Sequence, residues 1–255
     1  MKARGRVYFF GNMKKIRNPF KNLNKFEWAL WVFSLAAIIS SFFAVGSTAY
    51  ANLAASLLGV TSLIFAARGD AFGLMLMMTF SAIYAFVAFT TKYYGEMIIY
   101  LGMQIPCATA SLISWLRHPS DKGSAEVKIG KFNKKHVYIL IPLTAAIVTA
   151  FFFVLKTLGT ENLIVSTVSV GTSFVALYLM TLRIPAYALV FILNDIVLIV
   201  LWSMACANDL NHLALVVCFS IFLINDTYTF ICWTRRKARQ DRKFNEQPDP
   251  LTEES

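Results

Sequence analysis

Two Asn-Asp dipeptides, Asn194-Asp195 and Asn225-Asp226, are the residues of this sequence best suited to binding a polar solute. They lie inside the stretches 185–204 and 211–233, which hold no other Asp, Glu, Lys or Arg. An amide beside a carboxylate sets hydrogen-bond donors and acceptors side by side. Such groups are costly inside an apolar segment, and those retained face a bundle interior or a solute path. Tyr228 lies three residues after Asn225 and shares its side of a helix, while Asp226 lies seven before Trp233 and projects from nearly the same face. Tyr187 and Trp202 belong to the same stretch as Asn194. Gln104 and Pro106, in the stretch 95–116, form a third candidate, because proline frees a backbone carbonyl of the preceding turn.

These amides, carboxylates and rings suit a polar, partly aromatic solute. Amides and acids bond hydroxyls and ring amides, and aromatic faces stack on a flat heterocycle. The competing expectation is that each asparagine is helix glue, bonded across to a neighbouring helix for about 0.6–2 kcal/mol. A bare inorganic ion fits poorly, since the sequence has no selectivity-filter pattern. It has no phosphate-binding GxxxxGK[ST] loop, so ATP hydrolysis is excluded. His118, His136 and His212 lie at span edges and read as solvated residues, not as an enzyme site. Cys107, Cys206, Cys218 and Cys232 lack metal-ligand spacing and read as small buried hydrophobes. No cofactor or metal is expected.

The elements that must position these residues are membrane helices. Of 255 residues, 57% are hydrophobic and only 15% charged, too apolar for a single water-facing core. Eight apolar stretches are predicted, at 27–46, 50–67, 71–91, 95–116, 137–158, 162–182, 185–204 and 211–233. Each approaches the roughly 20 residues needed to cross a bilayer. Helices are expected because every backbone group in lipid must be bonded internally, and the barrel alternation is missing. The fold class is therefore an all-α polytopic membrane protein.

Charge placement orients it. The net charge is +10, but the basic residues gather at the two ends and in one central loop, which excludes a nucleic-acid partner. With the N-terminus inside, 22 of the 24 lysines and arginines fall in inside segments, leaving only Lys92 and Lys156 outside. Eight spans then place both termini in the cytoplasm. Residues 1–26 form a basic N-terminal segment and 234–255 a tail. One alternative concerns the start of the chain. Basic residues 1–25, apolar 28–46 and the Ala49-Tyr50-Ala51 site outline a signal peptide. Trp28 and Trp31 instead suit an interfacial anchor, so the first span reads as an addition to a seven-span core.

Within that core, the basic loop 117–136 separates three spans (50–116) from four. With 137–158 as a connector, two parallel three-helix repeats remain, 50–116 and 162–233, a known transporter plan. Leu112-Ile113-Ser114-Trp115-Leu116-Arg117 matches Phe230-Ile231-Cys232-Trp233-Thr234-Arg235 in ending on tryptophan, then arginine two residues later.

These residues carry a resemblance to the PnuC family of vitamin transporters, over roughly residues 50–236. It rests on Asn225-Asp226-Thr227-Tyr228 through Trp233-Thr234-Arg235-Arg236, on Gly95-Glu96-Met97-Ile98 through Gln104-Ile105-Pro106 to Trp115, and on Asn194. The resemblance implies a 3+1+3 core with an additional N-terminal helix and substrate contacts at Asn194, Asn225 and Tyr228. It also implies a homotrimer in the inner membrane, facilitated diffusion of nicotinamide riboside, and trapping by a cytoplasmic kinase. Carriers of nicotinamide riboside usually have two tryptophans, seven and four residues before that asparagine. Tyr187 and Val190 stand there instead. Thiamine, riboflavin or a deoxynucleoside therefore remains open as substrate, as does a non-transporting receptor or scaffold.

Overall fold

The computed structural model describes residues 19–44, 46, 50–90, 94–120, 126–160, 162–207 and 213–245. Residues 1–18, Ser47, Ala49, Lys92, 121–125, 208–212 and the end of the tail lie outside these, and with them parts of the expected basic N-terminus, the signal-peptide site and the central loop. A 3-10 turn at Pro19–Asn22 precedes α1 (Lys25–Ala44), α2 (Tyr50–Ala67), α3 (Ala71–Thr90) and α4 (Tyr94–Ile99). Then come α5 (Ile105–Arg117), α6 (Lys134–Thr157), α7 (Leu163–Thr181), α8 (Ala186–Cys206) and α9 (Leu213–Asn245). No named strand occurs among the described residues. Among the described residues seven helices are long and apolar enough to cross a membrane, and α3 adds an apolar Ala71–Val87.

The stretch 95–116 is one span with an irregular middle. A π turn, Tyr100–Gln104, joins α4 to α5, and the Ile105 N–H bonds the Tyr100 carbonyl five residues back. Pro106 has no N–H to return to the Gly102 carbonyl, so the widened turn shifts the register just ahead of it.

The last helix runs past the expected end at 233 to Asn245, 33 residues in all. At 1.5 Å per residue it is roughly 50 Å long and outruns a hydrocarbon core of about 30 Å. No Pro or Gly interrupts 213–245. The extension is tied down where it leaves the bundle. Arg236 and Arg239 both bond Glu126, Gln240 Oε1 accepts the Ile129 N–H (2.9 Å), and Gln240 Nε2 donates to the Val127 carbonyl (3.2 Å).

At this basic end the helices α2 and α7 terminate alike. After α2, the Gly69 N–H bonds Ala66 O and the Asp70 N–H bonds Phe65 O; after α7, Arg183 bonds Met180 O and Ile184 bonds Leu179 O. Both are left-handed C-terminal caps, with φ of +68° at Gly69 and +61° at Arg183. Two of these cap carbonyls each accept a second bond, reciprocally between the halves. Trp233 Nε1 donates to Ala66 O (2.9 Å) and Trp115 Nε1 to Met180 O (3.1 Å). The two indoles meet at 5.2 Å between centroids. The loop after α5 straps both caps, through Val127 N–H to Gly69 O and Gly130 N–H to Arg183 O. Asp70 caps α3 by accepting the Phe72 N–H at 2.9 Å. Burial pushes its carboxyl above the usual range, and the Phe72 N–H and Arg68 pull it partway back.

Two apolar clusters follow. One at the basic end includes Trp115, Leu177, Tyr187 and Trp233. The other, towards the opposite end, includes Val60, Phe80, Tyr84, Trp202 and Phe222. Helix α9 packs on α8, α2 and α1, while α6 lies against α7.

Candidate solute-binding site

A cavity opens between the two clusters. Its volume is about 60 Å3. From α2 to α5 come Gly59, Ser62, Leu63, Met77, Phe80, Ile99, Tyr100 and Gln104. From α7 to α9 come Ser169, Ser173, Phe191, Asn194, Asp195, Leu198, Phe219, Phe222 and Asp226. Four of the expected residues, Gln104, Asn194, Asp195 and Asp226, are thus brought together from three spans. Tyr100 and Gln104 are the first and last residues of the π turn, so the irregular backbone forms cavity wall.

Asn194 is held from one side. Its Oδ1 accepts hydroxyls from Ser169 (3.2 Å), Thr172 (2.7 Å) and Ser173 (3.0 Å), all on α7. That arrangement sets the amide orientation and turns its NH2 away from α7. Asp195 and Asp226 are almost fully buried and lie within hydrogen-bonding reach of each other. Asp195 Oδ2 has no hydrogen-bond donor among the described residues. A buried acceptor without a donor side chain is uncommon, and a proton shared with Asp226 or a donor on a solute would satisfy it. Among the described residues, no lysine or arginine lines the cavity.

The other four expected residues lie around the cavity rather than on its wall. Tyr187 is buried against Trp233 (4.9 Å, edge-on) and Phe191, and its hydroxyl has no partner among the described residues. Val190 packs beside it in the same cluster. Trp202 belongs to the opposite cluster. Asn225 faces α1, with Nδ2 donating to Ser34 Oγ (3.1 Å) and to Ile221 O (2.9 Å). Tyr228 also faces α1, its hydroxyl donating to Glu27 Oε1 at 3.1 Å.

Several lining residues were absent from the sequence expectation. Phe80, Tyr100, Phe191, Phe219 and Phe222 are five of the many aromatic residues in apolar spans, and composition does not separate cavity rings from lipid-facing ones. Ser169 and Ser173 had a usable signal. With Ser166, Thr167 and Thr172 they make α7 unusually rich in hydroxyls, and 169, 172 and 173 fall on one helical face.

A bundle of apolar spans around a cavity that holds buried amide and carboxyl groups is the build of a multi-pass membrane transport protein. A family model described as nicotinamide mononucleotide transporter matches residues 49–235, and the chain belongs to that family. It is 26% identical over 227 residues to the nicotinamide riboside transporter PnuC of Neisseria mucosa, covering 88% of this chain and 86% of the relative. A solved structure described as the crystal structure of the vitamin B3 transporter PnuC shares the fold, with a TM-score of 0.72 at 23% identity. That match covers 86% of this chain and 94% of the other.

Proposed function

We propose that the protein carries nicotinamide riboside across the cytoplasmic membrane. The observation that carries this reading is the acidic lining of the cavity: among the described residues it has two carboxyl groups, one with an oxygen lacking a donor side chain, and no lysine or arginine. Nicotinamide riboside combines a positively charged flat ring with a ribose. The ring suits the acids and the faces of Phe80, Tyr100 and Phe222, and the hydroxyls suit Gln104, Asn194 and Ser173. A mononucleotide would bring a phosphate towards two acids with no lysine or arginine to receive it, so the riboside is favoured over the phosphorylated form.

The path is lined without a nucleotide-hydrolysing loop, which supports facilitated diffusion, with trapping by a cytoplasmic kinase. The charge distribution supports an inner-membrane protein with both termini cytoplasmic. The reciprocal tryptophan contacts and paired helix caps support 50–116 and 162–233 as two repeats joined by α6. The family supports a homotrimer.

A second reading, thiamine, is favoured by the same cation-accepting chemistry together with Tyr187 and Val190 in place of tryptophans. Purified protein in liposomes, offered a panel of labelled vitamins and nucleosides, tests both. Nicotinamide riboside should equilibrate across the membrane without an ion gradient. Equilibration of thiamine alone would shift the assignment to the second reading. No uptake of any solute would defeat the carrier reading.

A further inference from the structure

Helix α1 carries a buried stripe, Glu27, Leu30, Ser34, Ile38 and Phe42, at spacings of three and four residues. A helix serving only as an anchor needs an apolar stripe there. This one holds a carboxylate and a hydroxyl, both almost fully buried. Glu27 is the meeting point of three elements. Its Oε2 accepts the Asn24 N–H (2.7 Å) and Arg68 Nη1 (2.8 Å), and its Oε1 accepts the Tyr228 hydroxyl. The Glu27 N–H in turn bonds Asn24 Oδ1 at 2.8 Å, closing a reciprocal helix cap. One turn-pair further along, Ser34 Oγ accepts Asn225 Nδ2. Between them Trp31 Nε1 donates to Thr61 Oγ1 of α2 at 3.1 Å.

The partners share one property. Asn225 is the sequence neighbour of Asp226, and Thr61 is the neighbour of Ser62; Asp226 and Ser62 line the cavity. Adjacent residues on a helix point about 100° apart. Holding Asn225 outward therefore sets the direction of Asp226, and holding Thr61 outward sets that of Ser62. On α9 the two attachment points, Asn225 and Tyr228, are three residues apart, so they resist both rotation and sliding.

We propose that Glu27, Trp31 and Ser34 are positioning residues for the cavity: α1 clasps the outer faces of α9 and α2 and fixes the rotation that turns Asp226 and Ser62 inward. The first helix is on this account part of the solute site. The proposal rests on the cavity being the solute site, and its test is separable from that reading.

The test uses the full chain with its four cysteines replaced by alanine. Asp226→Cys and, separately, Ser173→Cys are introduced, and the rate of modification by a small cationic thiol reagent is followed in proteoliposomes. Ser34→Ala, which removes the acceptor of Asn225 Nδ2, or Tyr228→Phe, which removes the hydroxyl on Glu27, should slow modification at Asp226→Cys by roughly five-fold, while Ser173→Cys on α7 stays within about two-fold. Glu27→Gln should act more strongly, and Glu27→Asp should partly restore the rate. In parallel, Ser34→Ala in the natural chain should raise the KM for nicotinamide riboside several-fold with little change in maximal rate. Equal rates at Asp226→Cys in all clasp variants would overturn the proposal, as would equal slowing at Ser173→Cys, which would mean general loosening. The accessibility arm reads helix rotation whether or not the riboside is the solute. Absent riboside uptake by the natural chain would count against the functional reading alone.

Discussion

The two halves of the bundle agree at the basic end and differ at the level of the cavity. At the basic end, α2 and α7 finish in the same cap, each lends a carbonyl to the other half's tryptophan, and one loop straps both caps. Midway along, both carboxyl groups and the hydroxyl-anchored asparagine come from α7, α8 and α9. The first half answers with Gln104, Ser62 and the rings of Phe80 and Tyr100. The basic end is built alike in both halves while the cavity walls are not: the wall from α8 and α9 carries the two carboxyl groups.

The largest effect should come from that acidic wall. Asp195→Asn and Asp226→Asn each break a pair of buried carboxyl groups in a desolvated site, where truncating one partner of a charge contact costs about 2–5 kcal/mol. Affinity for a cationic solute should fall by roughly 30-fold or more in solute-protection or counterflow measurements. Ser62→Ala, on the other wall, should cost no more than about five-fold. Comparable losses from Ser62→Ala would break the asymmetry.

Next comes the strap. A Cβ on Gly130 would stand 2.0 Å from the Leu182 carbonyl oxygen, whereas one on Gly102 meets only a side-chain carbon at 3.9 Å. Gly130→Ala should lower stability by about 1–3 kcal/mol or more, read as earlier thermal loss of monodisperse protein in detergent, and Gly102→Ala should not. A smaller and more pointed comparison is Trp115→Phe against Trp233→Phe. Each removes the indole bond from a helix-end carbonyl that keeps its cap N–H, at about 0.5–1.5 kcal/mol. The two losses should agree within about 1 kcal/mol if the contacts are equivalent, and a wider gap would contradict that. The smallest effect is expected at the caps. Arg183→Gly relieves a left-handed backbone, worth about 1–2 kcal/mol, but gives up the bond from Arg183 to Ser114 Oγ at 2.9 Å, so the melting temperature should hardly move. Gly69→Arg imposes the same backbone strain without a gain and should destabilise.

The spans were legible because length and apolarity are demanded by the bilayer itself. Asp195 and Asp226 were legible for the same reason, since a charge inside an apolar run needs a cause. Asn225 and Tyr228 show where that logic stops. Sequence spacing placed them on one face of α9, but which neighbour that face meets is set by packing, and it meets α1 rather than the cavity. Glu27 was hidden for a related reason. It sits at the edge of a basic segment, where a carboxylate reads as a surface residue, yet it is buried under α2 and α9. Pro106 signalled an irregular span, but not that Tyr100 and Gln104 at the ends of its π turn would form cavity wall. The cavity rings carry no signal of their own, because a phenylalanine facing a solute and one facing lipid are the same residue in the same kind of stretch.

Whether the acidic cavity accepts a cationic riboside is decided by competition in proteoliposomes. Uptake of labelled nicotinamide riboside is measured against unlabelled riboside, its reduced form with a neutral ring, and the mononucleotide. The account predicts strong competition from the riboside, at least about ten-fold weaker competition from the neutral form, and the weakest from the phosphorylated one. It also predicts that Asp226→Asn narrows the gap between charged and neutral rings. Equal competition by the neutral form, or stronger competition by the mononucleotide, would contradict it.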